Sequence, residues 1–307
     1  MYHPILEIVN NPPDESSFWV SLSGSFIGTA TALLVFFLES RRERNRVRSK
    51  KKENYRNGLL YFKLLLKGIV RSVNSQAEAY KDHAEEIINN PFQVIALKIS
   101  TTHDIDRILN KSDLERLLQS YLQEYGSGIE NIKEFKDIIS CLDYLDSTIS
   151  EILQKQTLYS KTLEDNLLRY KELSEENVLK KAVELITYIQ QNNSDYENDK
   201  LYNTINNIVA DFYKNISKPF TFTKFQTSLI QPLTESIIKD FRKNTQAMMI
   251  ADDCRKATWV YQDIIFKGKG IAVFLSKYHE DIIFVLSQLS NVKKIFDDPF
   301  AKADNIS

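Results

Sequence analysis

Chemistry along this chain would have to come from a few polar groups. His103, Asp104 and Asp106 form the densest polar cluster in an irregular stretch. Imidazole and carboxylate so close together can ligate a metal or pass a proton, and the same residues can equally cap the short run Ile105–Leu109. The other histidines are scattered: His3 near the start, His83 beside Asp82 and Glu86, and His279 before Glu280 and Asp281. A lone histidine next to acids on a helix reads as a solvated or packed residue. Asp252, Asp253 and Cys254 are adjacent, so on a helix they point in different directions and cannot converge on one site. FKGKG at Phe266–Gly270 pairs two lysines with two glycines, but it lacks the spacing of a phosphate loop and reads as a helix–helix turn. Cys141 and Cys254 show neither zinc nor disulfide spacing. With no nucleophile elbow, kinase set or HExxH motif, the chain reads as a non-enzyme, with no catalytic residue, cofactor or metal expected. An enzyme with an unrecognised helical site, centred on His103–Asp106, is the least favoured function.

The elements that would carry such groups are helical. Only 8 of 307 residues are glycine, none lies between Ile129 and Lys267, and no proline occurs from Phe92 to Lys218. Long helices tolerate that scarcity, whereas sheets with tight turns do not. The expected fold is all-α: a single N-terminal transmembrane helix followed by a cytoplasmic multi-helix bundle with long antiparallel helices.

The membrane expectation rests on Phe18–Leu38, which carries no charge. A helix of that length spans about 31 Å, close to the ~30 Å hydrocarbon core of a bilayer. A cleaved signal fits less well, because the preceding residues are acidic and no small-residue cleavage site follows. A buried core helix would have to hide its whole circumference and then meet Arg41, Arg42, Arg44, Arg46, Arg48, Lys50, Lys51 and Lys52. These bases predict a C-terminal side in the cytoplasm, an N-terminus outside and an inner-membrane location, and they could also touch anionic lipid headgroups. Gly24, Gly28 and Ala32 fall on one helix face and make a small-residue ridge for self-association.

The charge is segregated. Residues 41–56 carry nine Lys or Arg against Glu43 and Glu53, a balance of +7, whereas 57–307 balance at −4. The body lacks the footprint of a nucleic-acid binder, and none is expected as a partner. The expected divisions are an extracytoplasmic tail at 1–17, the span at 18–38, a basic collar and stalk helix at 39–90, a coiled-coil-like helical domain at 91–195, a C-terminal part of the same bundle at 196–297, and a flexible tail at 298–307. Within them, Asn90-Pro91 should end the stalk. Ser112 should cap the next helix with Glu115 in a capping box. Ile132, Phe135, Ile139, Leu142, Ile149 and Leu153 should form a seam broken at Asp146, and KGKG should separate the last two helices.

The outline resembles membrane-anchored effectors of bacterial defence systems, and equally many membrane scaffolds. The function expected is a membrane-anchored scaffold that docks a cytosolic protein partner, possible homo-oligomer included. The alternative is an oligomerising effector whose spans perturb the membrane.

Overall fold

A computed structural model describes residues 15–99, 103–215 and 221–292, with side chains from Thr29 onward. Among the described residues every regular element is helical. The helices are α1 (Glu15–Asn89), α2 (His103–Leu109), α3 (Leu114–Tyr125), α4 (Ile129–Glu172), α5 (Lys180–Asn192), α6 (Lys200–Asn215), α7 (Phe222–Phe225), α8 (Gln231–Asp240) and α9 (Thr245–Ser290).

The expected membrane span is corrected. Among the described residues no helix is long and apolar enough to cross a membrane. The uncharged run is diluted by Ser21, Ser23, Ser25, Thr29 and Thr31, which lower its mean apolarity. Residues 18–28, diluted by serines, lie outside the described side chains. With the span go the inner-membrane location, the outward N-terminus, the lipid-contacting collar, the membrane-docked scaffold and the membrane effector. The expected tails at 1–17 and 298–307 lie outside the described residues, apart from the first turn of α1.

The chain folds as two compact units. One comprises residues 1–62 with 115–131, and the other 63–114 with 132–307. In the first, Leu59 and Phe62 of α1 and Tyr121 of α3 are buried. Tyr55 Oη donates to Gln119 Oε1 at 2.8 Å. Gly126 ends α3 at φ 101°, a conformation that favours glycine. Asn131 Nδ2 holds that turn by donating to the carbonyls of Tyr125 and Gly126.

The second unit is built on three long helices. In α1, Leu66, Ile69, Val73, Gln76, Tyr80, His83 and Ile87 follow one another about a turn apart, at alternating steps of three and four, and all are buried. In α4 the same rhythm runs through Phe135, Ile138, Leu142, Leu145, Ile149, Ile152 and Gln156. In α9 it includes Ile250, Cys254, Ala257, Ile264, Gly268, Leu275, Ile282 and Leu289. This is the spacing of a coiled-coil seam. Cross-contacts give the directions. Tyr278 Oη donates to Glu151 and Cys141 approaches Gln288, so α4 and α9 run antiparallel. His279 approaches Glu78 while Gly268 lies against Ile87, so α1 and α9 are antiparallel too. Gly268 also lies against Tyr159, close to the α1–α4 contact of His83 with Gln156.

A second core brings the first half of α9 together with α5 and α8, and α6 packs on α5 and α8. α4 passes into α5 without a break, through a π-helical segment at Leu173–Leu179. α7 passes into α8 through another at Gln226–Ile230. The two segments touch each other, and both touch α9. Pro232, which has no N–H to donate, directly follows the second of these π-helical turns.

Three local expectations change. α3 starts at Leu114, not after Ser112, whose hydroxyl instead donates to the Arg107 carbonyl at 2.7 Å. The KGKG segment is no turn, because α9 runs straight through it from Thr245 to Ser290. The α4 seam is unbroken: Ile138, Leu145 and Ile152 are buried, while Asp146 faces solvent and Ile132 is exposed.

Candidate functional site

The largest unexplained feature is on α1. Leu33, Leu34, Val35, Phe36, Phe37 and Leu38 are six consecutive apolar residues, each between 49% and 71% exposed. Successive helical residues are ~100° apart, so six of them encircle the helix. Single exposed apolar side chains are ordinary, but a continuous block marks a contact surface. Ala32, next to the block, is exposed as well. Gly24 and Gly28, the other expected members of the ridge, lie outside the described side chains.

The bases follow at once. Arg41, Arg42, Arg44, Arg46, Arg48, Lys50, Lys51 and Lys52 are all exposed. Lys51 Nζ sits 5.6 Å from the centroid of the Tyr55 ring. Repulsion among so many like charges on one helix is relieved by water, which reaches every one of them.

The polar cluster resolves into local ion pairs. Arg107 Nη1 is 2.7 Å from Asp104 Oδ1, and Lys111 Nζ is 2.7 Å from Asp106 Oδ2. Asn110 also donates to Asp106, and the hydrogen bonds from Lys111 and Asn110 hold that carboxyl below its ordinary range. His103 is exposed at the start of α2. Among the described residues no group of three His, Cys, Asp or Glu could hold a metal ion.

Neither thiol is activated. Burial and the nearby Asp137 push the Cys141 thiol up. Cys254 is fully buried in the second core, and burial pushes it up to about 12. A thiol so raised is a packing group rather than a nucleophile. Its neighbours diverge: Asp252 faces solvent with Arg255, while Asp253 turns inward. Burial alone would raise the Asp253 carboxyl, but hydrogen bonds from Lys181 at 2.6 Å and Lys256 at 2.9 Å outweigh it and hold the group low. Lys181 ties α5 to α9, while Lys256 pairs with Asp253 within α9. Beside it lies an open cleft of about 460 Å³, lined by Lys181, Leu185, Tyr188, Met249 and Ile250.

The sequence reading missed the buried polar layer of the long bundle. His83 is 3% exposed and lies 2.8 Å, Nε2 to Nε2, from Gln156. Burial lowers the affinity of this ring for a proton, with Glu86 and Gln156 acting in the opposite sense. Gln76 donates to the Lys98 carbonyl at 2.9 Å. Polar residues at seam positions cost stability and fix register. The signal that could have found them is their spacing: Gln76, His83 and Gln156 all fall in phase with apolar seam residues.

No family model, no curated protein and no solved structure matches this chain.

Proposed function

We propose that this chain is a self-assembling helical protein, joined to further copies of itself through the apolar block of α1. One observation carries the reading: six consecutive apolar residues, Leu33–Leu38, exposed around the helix. Covering what remains exposed of each is worth roughly 1 kcal/mol by area. Because the block encircles α1, one neighbouring helix covers only part of it, and more than one is needed before all six contributions reach the lower part of the ~4–15 kcal/mol lost in association. The role is non-catalytic: the raised thiols, the locally paired Asp104 and Asp106 and the buried His83 support it.

Sedimentation of the full chain in detergent-free buffer tests this. The wild type should sediment as a multiple of its 35.7 kDa protomer. The double variant Leu34→Asp, Phe37→Asp changes one exposed face and should sediment as the protomer with unchanged helix content. A monomeric wild type, or a variant that assembles equally well, overturns the reading. So does a monomer that binds phosphatidylcholine vesicles, which would give the block another occupant.

A further inference from the structure

We infer that the basic segment Arg41–Lys52 of α1 is a site for duplex DNA, which receives the helix in its major groove. The site is separate from the apolar block and does not rest on self-assembly. The expectation of no nucleic-acid partner came from the charge of the body, residues 57–307, and this segment lies outside the body.

Charge and access point to a polyanion. Eight Lys or Arg against one acid, Glu43, leave a balance of +7 between Arg41 and Lys52. Among the described residues none of the eight is held in an ion pair. From Thr29 to Asn54 every side chain but the half-buried Ser40 is exposed, so nothing described packs against this stretch of α1. The bases follow one another at about 2 Å of helix axis, close to the ~1.7 Å per phosphate charge of duplex DNA.

The distribution around the helix selects the shape of the partner. At ~100° per residue, Arg41, Arg48 and Lys52 share one side, Arg42, Arg46 and Lys50 a second, and Arg44 and Lys51 a third. No gap between neighbouring bases exceeds about 100°. An acidic protein surface meets one side of a helix and leaves the other two in water. A groove has two walls that carry phosphates and a floor that carries the N7 and O6 acceptors of guanine, so it meets all three. The major groove of B-form DNA is ~12 Å wide, and an α-helix with its side chains is ~10–12 Å across. The deep, narrow major groove of duplex RNA does not admit side chains in this way, which leaves DNA as the partner.

Fluorescence anisotropy of the full chain with a labelled DNA duplex of about two helical turns tests this. The logarithm of the binding constant should fall against the logarithm of salt concentration with a slope of about −5 to −7, as when about six to eight phosphates are neutralised. Between about 50 and 200 mM salt the affinity should drop about 10³–10⁴-fold. The triple variant Arg42→Gln, Arg46→Gln, Lys50→Gln strips one side of an exposed helix. It should keep its helix content and reduce the slope by about 3. Lys269→Gln with Lys277→Gln, at exposed positions of α9, should leave the slope unchanged. An RNA duplex of the same sequence and a polyglutamate peptide should bind more weakly than the DNA. No DNA binding at about 50 mM salt, or a slope that the triple variant leaves unchanged, overturns the inference. Duplex RNA, polyglutamate or phosphatidylserine vesicles bound as tightly as the DNA overturn it too, because charge without a groove would then account for the segment.

Discussion

Replacing Gly270 by alanine separates two accounts of the chain's last third. If KGKG were a turn, Gly270 would occupy a conformation that alanine resists, and Gly270→Ala would destabilise the protein. In the structure Gly270 lies inside α9, and Gly126 has the one positive φ among the described residues. A β-carbon added at Gly270 meets nothing within 4 Å. The substitution therefore alters only backbone freedom and hydration. Alanine is better than glycine in a helix interior by ~0.8–1.0 kcal/mol, partly because the unfolded chain has less freedom to lose. For a chain of this size that raises Tm by about 1–2 °C. Thermal and urea unfolding, compared at one protein concentration because assembly shifts Tm, should show the gain. A loss of about 0.5 kcal/mol or more would refute a continuous α9. Gly268 is the internal contrast. Its added β-carbon would sit 3.4 Å from both Ile87 Cγ2 and Tyr159 Oη, so Gly268→Ala should gain less than Gly270→Ala.

Two other outcomes follow from described side chains and backbone. Gly126→Ala forces a side chain into φ 101°; it should cost about 1–2 kcal/mol, read as faster amide exchange in α3 than in the wild type. His83 resists protonation because it is buried. Its contribution is complete above the unfolded pKa of ~6.5 and falls away as pH drops below it. Stability should therefore decline between about pH 7 and 5 more steeply in the wild type than in His83→Gln. Equal slopes would show that the ring is not the group responsible.

What could be read in advance depended on which residues mark an element. Asn90-Pro91 ends α1 at Asn89 because proline restricts the residue before it, and that is visible in two letters. The all-helical body was legible from the missing glycines and prolines. The phase of α4 was not. Ile139 and Leu153 offer aliphatics one residue away from Ile138 and Ile152, and only packing chooses between neighbouring faces. Gln156 and His83 occupy seam positions although polar residues are mostly exposed. KGKG was misread because glycine marks a turn and also fits a crowded helix face, as it does at Gly268. The expected membrane span rested on the length of the uncharged run, whereas no described helix meets the need for both length and apolarity. The exposed block Leu33–Leu38 was visible as composition, but its exposure on every side was not.

The two π-helical segments limit how this chain can vary in length. In each, a backbone N–H reaches back five residues instead of four: Lys180 to Glu175, and Gln231 to Gln226. One such turn holds one residue more than an α-turn would. Deleting that residue would leave an unbroken helix and yet rotate everything after it by ~100°. Val178 and Leu185 would leave their core positions in one case, and Leu233 and Ile237 in the other. Related chains should therefore keep the spacing between Tyr170 and Leu185, and between Phe225 and Ile237, even where the residues themselves differ. Insertions and deletions should collect in the Asn193–Asp199 connection instead, where backbone turns and an Asp199 cap absorb them.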